Sequence, residues 1–225
     1  MKRFTPIGML LALLLLLLFP LIFGQVMVAA LVKLHLTRAA AIDLVIAIIL
    51  GGLINIPVKR IVRHDTVASH PLAVFGLSGS MPQLARLRKE TIIAVNVGGC
   101  IIPSALAIYE LGHILAFGSP VLATLAIACA ANTLACYAVA EPMAGVGIVM
   151  PGFVSPIISA VLAAYLAPSE APGVAFIAGV VGPLVGADLF HLKDITKNAV
   201  GVASIGGAGT FDGIVLSAIV AAYLA

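Results

Sequence analysis

The chain has 225 residues, of which 62% are hydrophobic and only 9% charged, with a formal net charge of +3. Its mean hydropathy is +1.22. Soluble chains carry about 25% charged residues, so this balance excludes a soluble globular domain and points to a polytopic membrane protein.

Lipid offers no hydrogen bonds to the backbone, so membrane spans are helices or a closed barrel. The apolar runs here are continuous and lack two-residue alternation, which selects helices. The expectation is an all-α transmembrane helix bundle forming one integral membrane domain over residues 1–225. Lys2 and Arg3 precede an apolar run from Ile7 to Ala30. That run exceeds the roughly 7–15 residues of a signal-peptide core, so an uncleaved first helix is expected over 6–31, bent at Pro20 and Gly24. A polar link, 33–38, leads to a second helix over 39–57, weakened at its end by Gly51, Gly52 and Asn55.

Residues 58–90 form the one long polar segment and hold Lys59, Arg60, Arg63, Arg86, Arg88 and Lys89, half of the twelve Lys and Arg. The middle of this segment, 73–82, is apolar and broken by Gly and Pro, which suits an extended or interfacial stretch. Five further apolar segments follow, over 91–117, 120–140, 153–166, 173–187 and 199–225. Those over 153–166 and 173–187 are short for a hydrocarbon core about 30 Å thick and are expected to continue into neighbouring Gly/Pro-rich stretches. The bundle then has about seven spans, some of them Gly/Pro-broken.

With a cytoplasmic N-terminus and seven crossings, ten of the twelve basic residues fall inside and only Lys33 and Arg38 outside, which satisfies the positive-inside rule. The loop 58–90 and the segment 188–197 are then cytoplasmic, and the C-terminus lies outside. The basic loop is read as a topology determinant against anionic headgroups of the lipid bilayer. It lacks interleaved aromatics, so nucleic acid is not an expected partner. A weak parallel repeat is also visible: residues 99–107 resemble 152–160, and Gly-rich stretches follow at 144–152 and 207–213.

Cys100, Cys129 and Cys136 all lie in apolar runs without metal-ligand or disulfide spacing, and are read as packing residues. Ionisable residues at membrane depth are functional candidates by default. The densest group is Asp188, His191, Asp194 and Asp212. Asp188 is placed where the sixth helix meets the cytoplasmic interface, and its plain reading is a solvated residue beside Lys193 and Asp194. Asp212 follows Gly206, Gly207 and Gly209, each of which weakens a helix by roughly 1 kcal/mol. A helix restarting near Thr210 would hold Asp212 in its first turn, favoured by the helix dipole or acting as a structural cap. Two carboxylates brought together cannot both ionise readily. One can then activate water while the other donates a proton, the division of labour in aspartic proteolysis. Gly206, Gly207, Gly209 and Thr210 are the candidate substrate-binding residues, since glycines allow an extended strand to approach the backbone.

Glu110 and His113, like Asp188 and His191, are spaced to share a helix face, and carboxylate–x–x–His pairs occur in the metal sites of helix bundles. The expected topology puts the two pairs on opposite sides, so no shared metal site and no cofactor is expected. Asn96 is read as an interhelical hydrogen-bonding residue, worth about 0.6–2 kcal/mol, while Asn132 and Glu141 lie on the fourth helix, ahead of the first Gly-rich stretch. Glu141 would face the same inner vestibule as Asp188 if the repeat holds.

The run Gly207-Ala208-Gly209-Thr210-Phe211-Asp212-Gly213 resembles a stretched Gly-x-Gly-Asp motif of intramembrane aspartyl proteases, the presenilin and prepilin-peptidase class. Asp188 on an inward-running helix and Asp212 on the next, outward-running one match the order of the two aspartates in that class. The resemblance implies a catalytic dyad. Gly186-Ala187-Asp188-Leu189 and the run from Gly207 to Val215 are also similar to the signature of a family of small prokaryotic integral membrane proteins of unknown function. That resemblance implies a fold class and a place in a prokaryotic plasma membrane, and no activity.

Three readings follow. The first is an intramembrane aspartyl-type hydrolase with Asp188 and Asp212 as its dyad and a membrane-embedded peptide as substrate. The second is a transporter of a small solute or ion, with broken helices around a polar cavity lined by Asn132, Glu141 and Asp212. The third is a membrane scaffold without turnover.

Overall fold

A computed structural model of the chain describes residues 6–66, 86–116, 118–143, 147–193 and 201–225. The centre of the basic loop, Asp194 and part of the first Gly-rich stretch lie outside the described residues.

Helix α1 spans Pro6–Val32 and runs through Pro20. A tight link follows, in which His35 takes a left-handed φ of 57°. Helix α2, Arg38–Gly51, starts at Thr37, whose hydroxyl accepts the Ala40 N–H at 3.2 Å. Strand β1, Asn55–Thr66, then pairs antiparallel with β2, Arg86–Asn96, from Asn55 opposite Asn96 to Thr66 opposite Arg86. A register shift falls between Pro57 and Lys59, where proline has no N–H to give the ladder. A π-turn, Val97–Ile101, opens helix α3, Ile102–Leu115. Helix α4 covers Ser119–Val139. Short strands β3, Glu141–Met143, and β4, Gly147–Val149, pair antiparallel. Helix α5 covers Val154–Leu166, and α6, Ala171–Val181, continues as a π-helix over Gly182–Leu189. Strand β5, Gly201–Ile205, lies parallel to β2, with Thr91 opposite Gly201 and Val95 opposite Ile205. A 3₁₀ turn, Gly209–Phe211, precedes helix α7, Gly213–Leu224.

The chain is mostly helical, but the all-α expectation is corrected by two sheets, β1-β2-β5 and β3-β4. The expected third helix began at Thr91; residues 91–96 are strand instead. Thr91, Ile92, Ile93 and Val95 are β-branched and suit a pleated surface, and β1 and β5 supply ladder partners on both sides. The expected second helix ran to Pro57 but stops at Gly51. The expected last span over 199–225 is a strand, a glycine turn and a twelve-residue helix. Among the described residues, three helical runs are long and apolar enough to cross a membrane: Val97–Leu115, Pro120–Val139 and Pro168–Leu189. Val154–Leu166 and Gly213–Leu224 are apolar but shorter. At 1.5 Å per residue, twelve or thirteen residues reach only about 20 Å.

Helix α6 is the centre of the bundle. Nearly all of its residues are buried, from Ala171 through Val180, and α3, α4, α5 and α7 pack around it. Small residues permit this closeness, the usual basis of helix packing in lipid. Asn132 on α4 reinforces it. Its Nδ2 donates to Ser155 Oγ at 2.8 Å, Ser159 Oγ at 2.9 Å and the Ala178 carbonyl at 2.8 Å, and Ser155 in turn meets Ser217 on α7. Four helices are therefore tied at one buried point.

The bundle has two distinct ends. Helices α2, α4 and α6 arrive at the end that carries the sheets, and α3, α5 and α7 depart from it. The opposite end brings the α1–α2 link against α3 and α7, where Lys33 Nζ donates to the Tyr223 carbonyl at 2.8 Å.

Candidate functional site

A cavity of about 390 Å³ opens at the sheet end. One wall is β5 with the turn that follows, Val202 through Ala208; Ile93 of β2 and Ile148 of β4 contribute apolar surface. Both Asp188 and Asp212 line it.

Asp188 stands in the last turn of the π-helical extension of α6. π-Segments are rare and occur mostly at functional sites. Asp212 is the N-cap of α7, with extended backbone at φ −70°, ψ 151°. Its Oδ1 accepts the Ile214 N–H at 3.0 Å and its Oδ2 the Ala208 N–H at 3.3 Å. Burial pushes the Asp212 carboxyl above the usual range, opposed by these two N–H groups, Ile214 before Ala208.

The turn carrying Asp212 is seated by backbone contacts. Gly206 and Gly209 adopt φ of 72° and 60°, left-handed values that cost most residues about 1–2 kcal/mol. A Cβ at Gly206 would lie 2.7 Å from the Gly99 carbonyl carbon and 2.8 Å from the Cys100 nitrogen, and one at Gly209 would lie 3.0 Å from the Gly52 Cα. The end of α2 and the start of α3 thus form the bed on which the turn rests. Asn96 fixes that bed: its Oδ1 accepts the Gly99 N–H at 2.7 Å, while its Nδ2 donates to the Gly52 carbonyl at 2.8 Å and Asn55 Oδ1 at 3.1 Å. Ser204 Oγ, on the strand lining the cavity, donates to the same Asn55 oxygen at 2.6 Å.

The other residues singled out in the sequence are dispersed. Gly206 and Gly207 line the cavity, whereas Gly209 is buried against Gly52 and Thr210 sits in the 3₁₀ turn beside it. His191 folds back on its own helix, with Nδ1 3.0 Å from the Ala187 carbonyl and its ring 4.9 Å from that of Tyr137. Asn132 belongs to the buried knot, and Glu141 is exposed on β3, so neither joins Asp212 in one central cavity. Glu110 and His113 are at the opposite end, where His35, with no signal in the sequence pattern, lies 3.5 Å from Glu110. Among the described residues no group of three or more His, Cys, Asp or Glu could hold a metal ion. The two Gly-rich stretches suggested by the repeat differ locally: 141–149 carries the β3–β4 pairing, and 206–212 is a turn leading into a cap. Asn55 and the serines of the buried knot were also unforeseen. Ser155 and Ser159 carry a visible signal, two hydroxyls four residues apart on an otherwise apolar helix.

Apolar helices around a small-residue core, with ionisable groups held at the two ends, define a helical integral membrane protein. The chain belongs to the family described as "Protein of unknown function (DUF1614)", whose model matches residues 49–224. That match takes in both sheets and both aspartates. No curated protein and no solved structure matches the chain.

Proposed function

We propose that the protein is an intramembrane aspartyl-type hydrolase in which Asp188 and Asp212 act on a peptide bond presented in extended form along β5. The observation that carries this reading is that both carboxyl groups line one cavity whose wall is an edge strand and a glycine turn. A substrate strand can pair with the edge of β5 on which, among the described residues, no strand lies, as in other cases of strand addition. Its peptide bond then lies beside the aspartates. Of the two, Asp212 has backbone N–H donors on both oxygens, which favour its ionised form. Asp212 accordingly takes the proton from the attacking water, and Asp188 donates one to the substrate carbonyl.

The same reading puts the N-terminus and the sheet end in the cytoplasm of a prokaryotic cell and the C-terminus outside. It is supported by the charge count of the sequence, ten of the twelve basic residues falling on one side under this orientation. Reporter fusions at the β3–β4 turn and at the C-terminus check this orientation.

A scaffold role draws on one specific observation, the double capping by Asp212. A single substitution separates the two readings, because Asn caps a helix about as well as Asp but cannot serve as an acid–base group. Asp212→Asn should fold normally and lose cleavage of a reporter membrane peptide, and Asp188→Asn should lose it as well. Cleavage by either variant at the parental rate would overturn the hydrolase reading.

A further inference from the structure

A second acid is sealed at the end of the bundle away from the aspartates. Glu110, near the end of α3, is fully buried, and among the described residues neither carboxyl oxygen has a hydrogen-bond partner. Helix α6 leaves room for it: a Cβ at Gly173 would lie 3.3 Å from Oε2. An isolated ionised carboxylate in such a place is costly by several kcal/mol.

The groups that face Glu110 come from two elements. From the α1–α2 link, His35 brings Nδ1 to 3.5 Å from Oε2. From the turn before α6, the buried carboxyl of Glu170 contributes charge of the same sign. On α3 itself, His113 stacks on His35 with ring centroids 5.1 Å apart, and Tyr109 meets His113 edge-on at 4.7 Å. Lys33, two residues from His35, directs its ammonium to the Tyr223 carbonyl and ring. The His35 side chain is 44% exposed, and the left-handed backbone at this residue aims the ring over the sealed acid.

We propose that Glu110 and His35 form a proton-binding site, in which Glu110 stores a proton inside the bundle and exchanges it with water at this end through His35. In loading, water delivers a proton to His35 Nε2, and the proton on Nδ1 passes to Glu110 Oε2. The imidazole ends neutral with its tautomer exchanged, and the pair goes from one negative charge to none. The ionised carboxylate is the costly form in this sealed place, and the carboxyl of Glu170 lies on the same side of the bundle, so the proton rests on Glu110. This site stands independently of the aspartate pair and of any cleavage reaction.

Infrared spectroscopy of the full chain in lipid tests it. Uniform [¹³C]glutamate labelling needs no substitution and separates protonated glutamic acids from aspartic ones. A protonated glutamic-acid carbonyl band is expected near neutral pH, lost in Glu110→Gln and retained in Glu170→Gln. On transfer to D₂O the band should shift rapidly in the parent and at least tenfold more slowly in His35→Ala, with His35→Gln as the second variant should His35→Ala fold poorly. Absence of a labelled band in the parent, its survival in Glu110→Gln, or unchanged exchange without the His35 imidazole would each overturn the proposal.

Discussion

Gly206→Ala is the sharpest perturbation of the turn that holds Asp212. Gly206 has φ of 72°, so an alanine there pays about 1–2 kcal/mol for the left-handed backbone alone. Its Cβ would also stand 2.7 Å from the Gly99 carbonyl carbon, 2.8 Å from the Cys100 nitrogen and 2.9 Å from the Cys100 Cβ. Two of those atoms are backbone, in a turn pinned by Asn96, so they cannot swing aside. Overpacking of this kind costs about 1–3 kcal/mol, for a combined loss of roughly 2–5 kcal/mol. Gly112→Ala is the matched control: it lies on α3, and nothing stands within 4 Å of its added Cβ. There alanine should stabilise by about 0.5–1 kcal/mol, through its higher helix propensity. Unfolding of both variants in detergent, followed by circular dichroism against denaturant, reads the difference. If Gly206→Ala matched the parent within about 0.5 kcal/mol, a size typical of unremarkable surface substitutions, the seating of the turn on Gly99 and Cys100 would be refuted.

Three further outcomes are expected. Asn132→Ala removes the donor shared by Ser155, Ser159 and Ala178 and should destabilise the bundle by about 1–3 kcal/mol, taking two bonds at typical membrane values; an unchanged denaturation midpoint would contradict the knot. Asp212→Ala should cost about 0.5–2 kcal/mol and Asp212→Asn less, since asparagine keeps an oxygen for the capping Ile214 N–H but puts an NH2 where the second oxygen accepts the Ala208 N–H; equal losses would show that capping is not what this carboxyl contributes to stability. The raised Asp212 value has a definite sign: the fold prefers the protonated form, so the contribution is complete below the unfolded-state carboxyl value and is lost as pH rises through the folded value. Denaturation midpoints of the parent should therefore fall relative to those of Asp212→Asn as pH rises above the unfolded-state carboxyl value, and a gap that stays constant would rule this out.

How far the sequence could be read depends on range. The apolar runs became helices nearly where composition put them: residues 120–140 are Ser119–Val139, and 153–166 are Val154–Leu166. Length and hydropathy are local properties, so they survive folding. Thr91–Asn96 was misread because a short β-branched run at the edge of an apolar segment satisfies a helix and a strand equally well. What decided it was the presence of β1 on one side and β5 on the other, from segments about 30 and about 110 residues away. The broken stretch before Asp212 was legible from its glycines. Its resting place on Gly52 and Gly99 was not, since a close backbone approach leaves no mark on the residues being approached except their smallness. His35 was invisible for a related reason. Its importance comes from a left-handed backbone and from α3, neither of which the link sequence specifies.

The same physics accounts for the sheet being where it is. Helix α6 runs nearly bare of polar groups until its π-helical end, and helix α7 starts only after Asp212 has capped it. Strand β5 comes between these two points, and its backbone groups have no helix to satisfy them. Pairing β5 to β2 solves this for one edge of the strand. Among the described residues no strand pairs with the other edge, and β5 shares with both aspartates the lining of one cavity. Leaving that edge open costs hydrogen bonds that an extended partner can supply. The proposed peptide substrate draws on this edge beside a pair of carboxyl groups. A solute needs convergent side-chain donors, and here the two intramembrane polar residues best suited to that task are committed elsewhere: Asn132 to the buried knot and Glu110 to the far end.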